Sequence, residues 1–327
     1  MNGKHHISIE SDKLKYEFDI RRNITVIQGD SATGKTTLID MLDTYGRFGL
    51  SSGITLKSDV KCIVYRGGID LLKAAISSYQ NSIIFFDEDN AFIYSKEFAS
   101  IIKETSNYYV LIARQPLYYL PYSIEEIYGI RTSGKYHYPE KIYHEFYHIY
   151  SGIEKKKIRN AVILVEDSNS GYQFFCKNKG NNECISVGGN SGFIKAIEKY
   201  DKSESVVIIA DGAAFGAYVA SVMAVAKRRE DIMLYFPESF EWLILKSGII
   251  EISKLSDILE EPEKYIDSCK FISWERYFTE LLVKATEGDS IKRYDKGKLL
   301  PYYYEGKNAK TIISVLPDEL KELIQTE

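Results

Sequence analysis

Short apolar runs alternate along this chain with segments whose apolar residues recur every three or four positions. Residues 6–20 alternate apolar and polar, most clearly in "KLKYEFDI", and read as one or two strands. Ile24 to Ile27 is an apolar run and 24–28 reads as a short buried strand, followed by a glycine-containing turn and a helical period over about 35–45. Further strands are predicted at 60–66, 82–89, 108–114 and 124–130, with helices at 69–79 and 96–105. Strands that are apolar throughout and alternate with helices predict a parallel sheet buried on both faces.

The pattern then restarts. Residues 148–160, "HIYSGIEKKKIRN", are polar and lysine-rich and read as a linker or domain-edge helix. Strands are predicted at 161–167, 183–189, 205–211 and 232–237, with helices at 191–200 and 217–229. The chain of 327 residues therefore reads as two α/β domains, 1–150 and 151–327, since an ordinary domain holds roughly 100–200 residues. The C-terminal tail reads as helix and loop, with the part after 286 loop-rich, locally basic and solvated.

"GDSATGKT", Gly29 to Thr36, fits G-x-x-x-x-G-K-[ST] and falls between an apolar strand and a helix start. Glycines there let backbone N–H groups of Asp30, Ser31, Ala32, Thr33 and Gly34 turn toward an anion, and the helix N-terminus adds partial positive charge. Lys35 is the candidate for the β- and γ-phosphates. The Thr36 hydroxyl is the candidate for Mg²⁺, with Thr37 beside it. In "IIFFDED" an apolar strand ends in acids. Asp87 is the candidate second metal ligand, Glu88 follows it at once, and Asp89 is a candidate cap for the next helix. The strand ending "LIARQPL" places Arg114 and Gln115 at its end.

These motifs resemble the P-loop NTPases of the RecA, AAA+ and ABC branch, in which a strand is inserted between the phosphate-loop strand and the strand bearing the acids. The resemblance implies ATP or GTP with Mg²⁺ as ligands and hydrolysis as the reaction, with Glu88 polarising the attacking water and Arg114 or Gln115 sensing the γ-phosphate. No LSGGQ-like signature is present, and about fifty residues between Lys35 and Asp87 leave no room for a coiled-coil arm.

In the second half Glu166 and Asp211 each end an apolar strand, and Glu238 and Glu241 follow another. Side chains at the carboxyl ends of adjacent parallel strands converge on one crevice. Oxygen ligands gathered there suit Mg²⁺ or Mn²⁺. The arrangement resembles a TOPRIM domain, whose pattern is a glutamate after one strand and Asp-x-Asp after a later one. Here the second aspartate is Ala213, so one carboxylate of a two-metal clamp is missing. In its order of parts the chain resembles the OLD family of ATPase–TOPRIM proteins. That resemblance implies an ATPase gating a metal-binding, nucleic-acid-processing domain, as in anti-phage systems. The alternative is a nucleotide-dependent switch whose second domain is a binding module.

Composition narrows the picture. The net charge of -4 divides into -1 for residues 1–150 (17 basic, 18 acidic) and -3 for the rest (25 basic, 28 acidic), so neither half is a basic module. The four cysteines form no CxxC pair and read as free thiols in a reducing cytosol. The N-terminus has no apolar leader and no apolar run is long enough to span a bilayer, so a cytoplasmic protein is expected. The 26 tyrosines read as half-buried core. A homo-oligomer or a partner protein is compatible with this composition.

Overall fold

The computed structural model describes residues 1–29, 33–133, 141–150, 158, 160–200 and 204–324. The fold is α/β, and the chain divides into two compact units. Unit 1 comprises Met1–Ser151 and Glu261–Ser273, and unit 2 comprises Gly152–Glu260 and Trp274–Glu327. Among the described residues no helix is long and apolar enough to cross a membrane.

Unit 1 contains β1 (His5–Glu10), β2 (Leu14–Ile20), β3 (Ile24–Ile27), β4 (Thr55–Lys57), β5 (Lys61–Val64), β6 (Ser82–Phe86), β7 (Tyr108–Ile112), β8 (Ile127–Thr132) and β9 (Ile142–His148). Its helices are α1 (Lys35–Phe48), α2 (Ile69–Ser78) and α3 (Lys96–Ile102). Among the described residues these strands form one sheet, ordered β4-β1-β2-β9-β8-β3-β7-β6-β5. The run β8-β3-β7-β6-β5 is parallel throughout, and β3, β6 and β7 are buried at every residue. Such strands are nearly continuous apolar runs, with Thr25 and Ser82 the buried polar residues among them.

The other edge departs from the all-parallel expectation. β1 pairs antiparallel with β2 and β4, and β8 with β9. β2 alternates buried and exposed residues, as a strand with one wet face does. β9 occupies residues that carry no clear period in the sequence. Residues 151–157 and 159 of the expected linker lie outside the described residues.

α1 starts at Gly34, which is left-handed (φ 91), and its apolar residues Leu38, Ile39 and Leu42 recur at helical spacing. They pack with Ile7, Ile27 and Phe85 in one core cluster. Burying each such side chain contributes roughly 1.5–3 kcal/mol. That packing, more than helix propensity, fixes where the helix begins relative to the sheet.

Asp89 caps no helix. Ser95 caps α3, accepting from the Phe98 backbone N–H at 3.1 Å. The segment Glu261–Ser273, expected in the second domain, lies in unit 1. There Gly3 N–H donates to the Glu263 carbonyl at 2.6 Å, and Asn23 Nδ2 donates to the Ser268 carbonyl at 3.1 Å.

Unit 2 contains β10 (Ala161–Val165), β11 (Glu183–Ser186), β12 (Ser205–Ile209) and β13 (Ile232–Tyr235), all parallel, in the order β11-β10-β12-β13. Its helices are α4 (Ser170–Lys177), α5 (Phe193–Ile197), α6 (Gly216–Ala226), α7 (Phe240–Ser247), α8 (Leu255–Glu260), α9 (Trp274–Thr286), α10 (Pro301–Tyr304), α11 (Gly306–Ser314) and α12 (Asp318–Ile324). The tail holds both loop and helix: the described residues 287–300 carry no helix, and α10, α11 and α12 follow.

Candidate functional site

In unit 1 the parallel register aligns Ile27 of β3 with Ile112 of β7, and Leu111 of β7 with Phe86 of β6. The residues that follow these three strands come out at one end of the sheet. They contribute to a cleft of about 570 Å³ lined by Gln28, Gly29, Thr33, Gly34, Lys35, Thr36, Thr37, Glu88, Ala113 and Arg114. A volume of this size lies in the usual range for a small-molecule site, roughly 300–1,000 Å³. Asp30, Ser31 and Ala32 lie outside the described residues. Gln115 does not line the cleft; its backbone N–H donates to the Tyr94 hydroxyl at 3.4 Å.

Lys35 is 8% exposed, and its Nζ donates to the Gly29 carbonyl at 2.8 Å and to Thr33 Oγ1 at 3.1 Å. The ammonium thus bridges both ends of the glycine loop. Behind the loop, the buried Tyr16 donates its hydroxyl to the Gly34 carbonyl at 2.9 Å and stacks on His144, with ring centroids 4.5 Å apart. Burial pushes the Tyr16 phenol up to about 12, so it remains a donor at neutral pH. Sequence reasoning missed this pair because Tyr16 reads as one more inward position of an alternating strand.

Asp87 is 4% exposed, and burial raises its pKa above the usual aspartate value. Its Oδ1 accepts from the Glu88 N–H at 2.8 Å, and its Oδ2 lies 3.5 Å from Arg66, which also reaches Asp40 and Asp43 at 3.3 Å each. Glu88 is gripped by Arg114, whose hydrogen bonds hold the carboxyl below its usual range. The two candidates for water orientation and phosphate sensing are therefore paired with each other.

No protein-family model matches the chain, and no curated protein matches it. The chemistry must be read from the residues.

In unit 2 Val165 of β10 pairs with Ile209 of β12, so Glu166 and Asp211 leave neighbouring strands at the same end. The Asp211 N–H donates to Glu166 Oε2 at 3.2 Å. Both line a small cavity of about 20 Å³ with Glu241 of α7 and Lys296, room for about one water. Burial raises the Glu166 carboxyl to about 7. Burial raises Asp211 too, with Glu275, Glu166 and Glu241 adding repulsion. Glu241 is fully buried. Its Oε1 accepts from the Tyr294 hydroxyl at 2.6 Å, and its Oε2 has no partner. Tyr294 in turn shares a 2.6 Å hydrogen bond with Ser170. Of the two glutamates proposed after β13, Glu241 reaches the crevice and Glu238 does not line it.

The crevice holds its own cation. Lys296 Nζ lies 2.5 Å from Glu275 Oε1 and 3.7 Å from Glu241 Oε1. Burial opposes its charge, but Glu241, Glu275 and Asp211 outweigh that and hold it protonated above the ordinary lysine range. Among the described residues, no group of three or more His, Cys, Asp and Glu side chains is arranged to hold a metal ion. Lys296 stands among the acids of unit 2 as a cation paired with Glu275 and near Glu241. Sequence reasoning missed Lys296 because it belongs to a tail that reads as solvated and basic.

Proposed function

We propose that unit 1 binds ATP or GTP with Mg²⁺ and hydrolyses it, and that this turnover switches unit 2. The observation that carries the reading is one cleft lined by the glycine loop, Lys35, Thr36, Glu88 and Arg114. The strand order supports it: β7 separates β3 from β6, as in the P-loop branch with an inserted strand. Lys35 and the loop N–H groups bind the phosphates. The Thr36 hydroxyl and the Asp87 carboxylate are hard oxygen donors of the kind Mg²⁺ takes, and Mg²⁺ would offset charge on the phosphates. Glu88 orients the attacking water once its pair with Arg114 opens toward phosphate.

For unit 2 the resemblance to TOPRIM proteins suggests metal-dependent phosphodiester chemistry. A second reading, a nucleotide-controlled binding module, is favoured by Lys296 among the acids and by Ala213 in place of an aspartate. Lys296 is half-buried and paired with Glu275, so it belongs to the lining of the crevice. The deciding experiment measures nucleotide turnover and, separately, nuclease activity with Mg²⁺ or Mn²⁺. Turnover lost in Lys35→Ala supports the unit 1 reading, and wild-type turnover in that variant ends it. Metal-dependent cleavage lost in Glu166→Ala and Asp211→Ala restores the enzymatic reading of unit 2.

A further inference from the structure

We infer that Tyr16 is a positioning residue for the phosphate site of unit 1, with His144 as its support; this deepens the nucleotide reading of that cleft and rests on it.

The two rings are set by the sheet. β2 and β9 run parallel with Tyr16 opposite His144, and the rings stack with centroids 4.5 Å apart and planes 17° from parallel. Phe18, two residues along β2, stacks on Phe146 with centroids 4.1 Å apart. Residues i and i+2 of a strand share a face, so these are neighbouring layers of one aromatic ladder. Phenylalanines serve where the ladder only packs, and the polar pair stands where it meets the glycine loop. Burying a hydroxyl costs free energy unless it is bonded. Tyr16 is fully buried, and its hydroxyl is bonded to the loop.

That bond fixes a direction. The Gly34 carbonyl accepts from Tyr16 Oη at 2.9 Å and from the Leu38 N–H at 3.0 Å. A carbonyl oxygen has two lone pairs, so both are engaged. The peptide that carries it is planar and trans, and in such a peptide the carbonyl and the following N–H point opposite ways. Holding the Gly34 oxygen toward β2 and α1 therefore turns the Lys35 N–H the other way, to the cleft that Gly34, Lys35 and Thr36 line. First-turn N–H groups of a helix have no carbonyl partner within it, and they are the donors that hold phosphate at a helix start. The Thr37 side chain hydrogen-bonds the same phenol, so Tyr16 holds the start of α1 at two points. His144 keeps the Tyr16 ring from turning. Its Nδ1 is buried without a hydrogen-bond partner among the described residues, so the stacked face is what this imidazole contributes. Burial lowers its pKa, and the neutral ring adds no charge behind the loop.

The test is calorimetric titration of the full chain with ATP and with GTP, each with Mg²⁺, beside a melting curve for every variant. Tyr16→Phe keeps the ring and removes the hydroxyl. It should weaken binding of the nucleotide that wild type takes by roughly three- to tenfold, the usual net effect of one hydrogen bond. His144→Ala frees the ring and should weaken binding by a similar factor. His144→Phe restores a stacked ring and should return affinity close to wild type. A merely structural role gives the opposite split: lower melting temperatures, with affinity unchanged at a temperature where every variant is folded. Unchanged affinity in Tyr16→Phe overturns the inference, as does His144→Phe binding no better than His144→Ala. If Tyr16→Phe does not fold, the two His144 variants carry the same readout. Lys35→Ala separates this role from the reading of the cleft. Wild-type binding that Lys35→Ala abolishes and Tyr16→Phe leaves intact sinks the positioning role alone, whereas no wild-type binding of either nucleotide sinks both.

Discussion

Arg114 grips both carboxylate oxygens of Glu88: Nε donates to Oε2 at 2.7 Å, and Nη2 donates to Oε1. A carboxylate held this way is ionised but occupied, so it must be released before it can orient a water. Glu88→Gln should keep nucleotide affinity and slow turnover by roughly 10²–10⁴-fold, the usual worth of a general base. Unchanged turnover would move the role to another residue. In Arg114→Ala the cation that holds the Glu88 pKa down is gone. The acid limb of the turnover profile should therefore move to higher pH, which a pH series on the two proteins checks.

Lys35 bridges Gly29 and Thr33, and in the proposed site it would also offer charge to phosphate. Lys35→Ala should abolish detectable nucleotide binding in calorimetry. Lys35→Met keeps most of the stem but no donor, and should behave the same way. Retained affinity in both variants would place the nucleotide elsewhere.

Gly34 has φ 91, and a Cβ built there would stand 2.7 Å from the Tyr16 hydroxyl oxygen. Gly34→Ala should destabilise unit 1 by roughly 1–3 kcal/mol through the left-handed backbone alone, with the clash added. Adding Tyr16→Phe removes the clashing oxygen and leaves the backbone strain. Urea melts should therefore show partial rescue in the double variant. Full rescue would mean the backbone tolerates alanine, and no rescue would mean the contact with Tyr16 is irrelevant.

The crevice of unit 2 gives a pH signature of unusual sign. Burial raises Glu166 to about 7 from an ordinary carboxylate value of 4.5, so the folded state holds a proton that the unfolded chain releases. Its contribution is fully present below the unfolded pKa and is lost as pH rises through about 7. Order-of-magnitude linkage gives up to ~3 kcal/mol. Glu166→Gln, which cannot ionise, should be more stable than wild type at pH about 8 and close to it at pH about 4. Denaturant melts at the two pH values check this, and equal stability at both ends refutes the assignment.

Local pattern revealed what local physics fixes. The buried strands before Gly29, Glu88 and Arg114 are mostly apolar, and α1 carries its period in Leu38, Ile39 and Leu42, so the placement of these residues at the cleft was readable from spacing. The acids Glu166, Asp211 and Glu241 were readable for the same reason, as ends of strands or starts of helices. What the sequence did not reveal depends on long-range placement. Tyr16 behind Gly34 lies 18 residues away in sequence, and the Arg66–Asp43 contact spans 23. Lys296 meets Glu241 across the fold, and no local signal distinguishes it from a solvated lysine. The tail helices did leave a trace. Ala309, Ile312, Ile313 and Leu316 recur at helical spacing, masked by the glycine, asparagine and lysines before them.

The segment Glu261–Ser273 has a consequence for modularity. The chain passes between the units three times, after Ser151, Glu260 and Ser273. Neither unit is a cassette that recombination or a single cut could exchange. A fragment ending at residue 151 would leave Asn23 Nδ2 without the Ser268 carbonyl, and the Thr105 carbonyl without the Ser268 hydroxyl that donates to it at 3.4 Å. Unit 1 is complete only when the chain has been made as far as residue 273, so more than a hundred residues of unit 2 are already in hand before the last piece of unit 1 arrives.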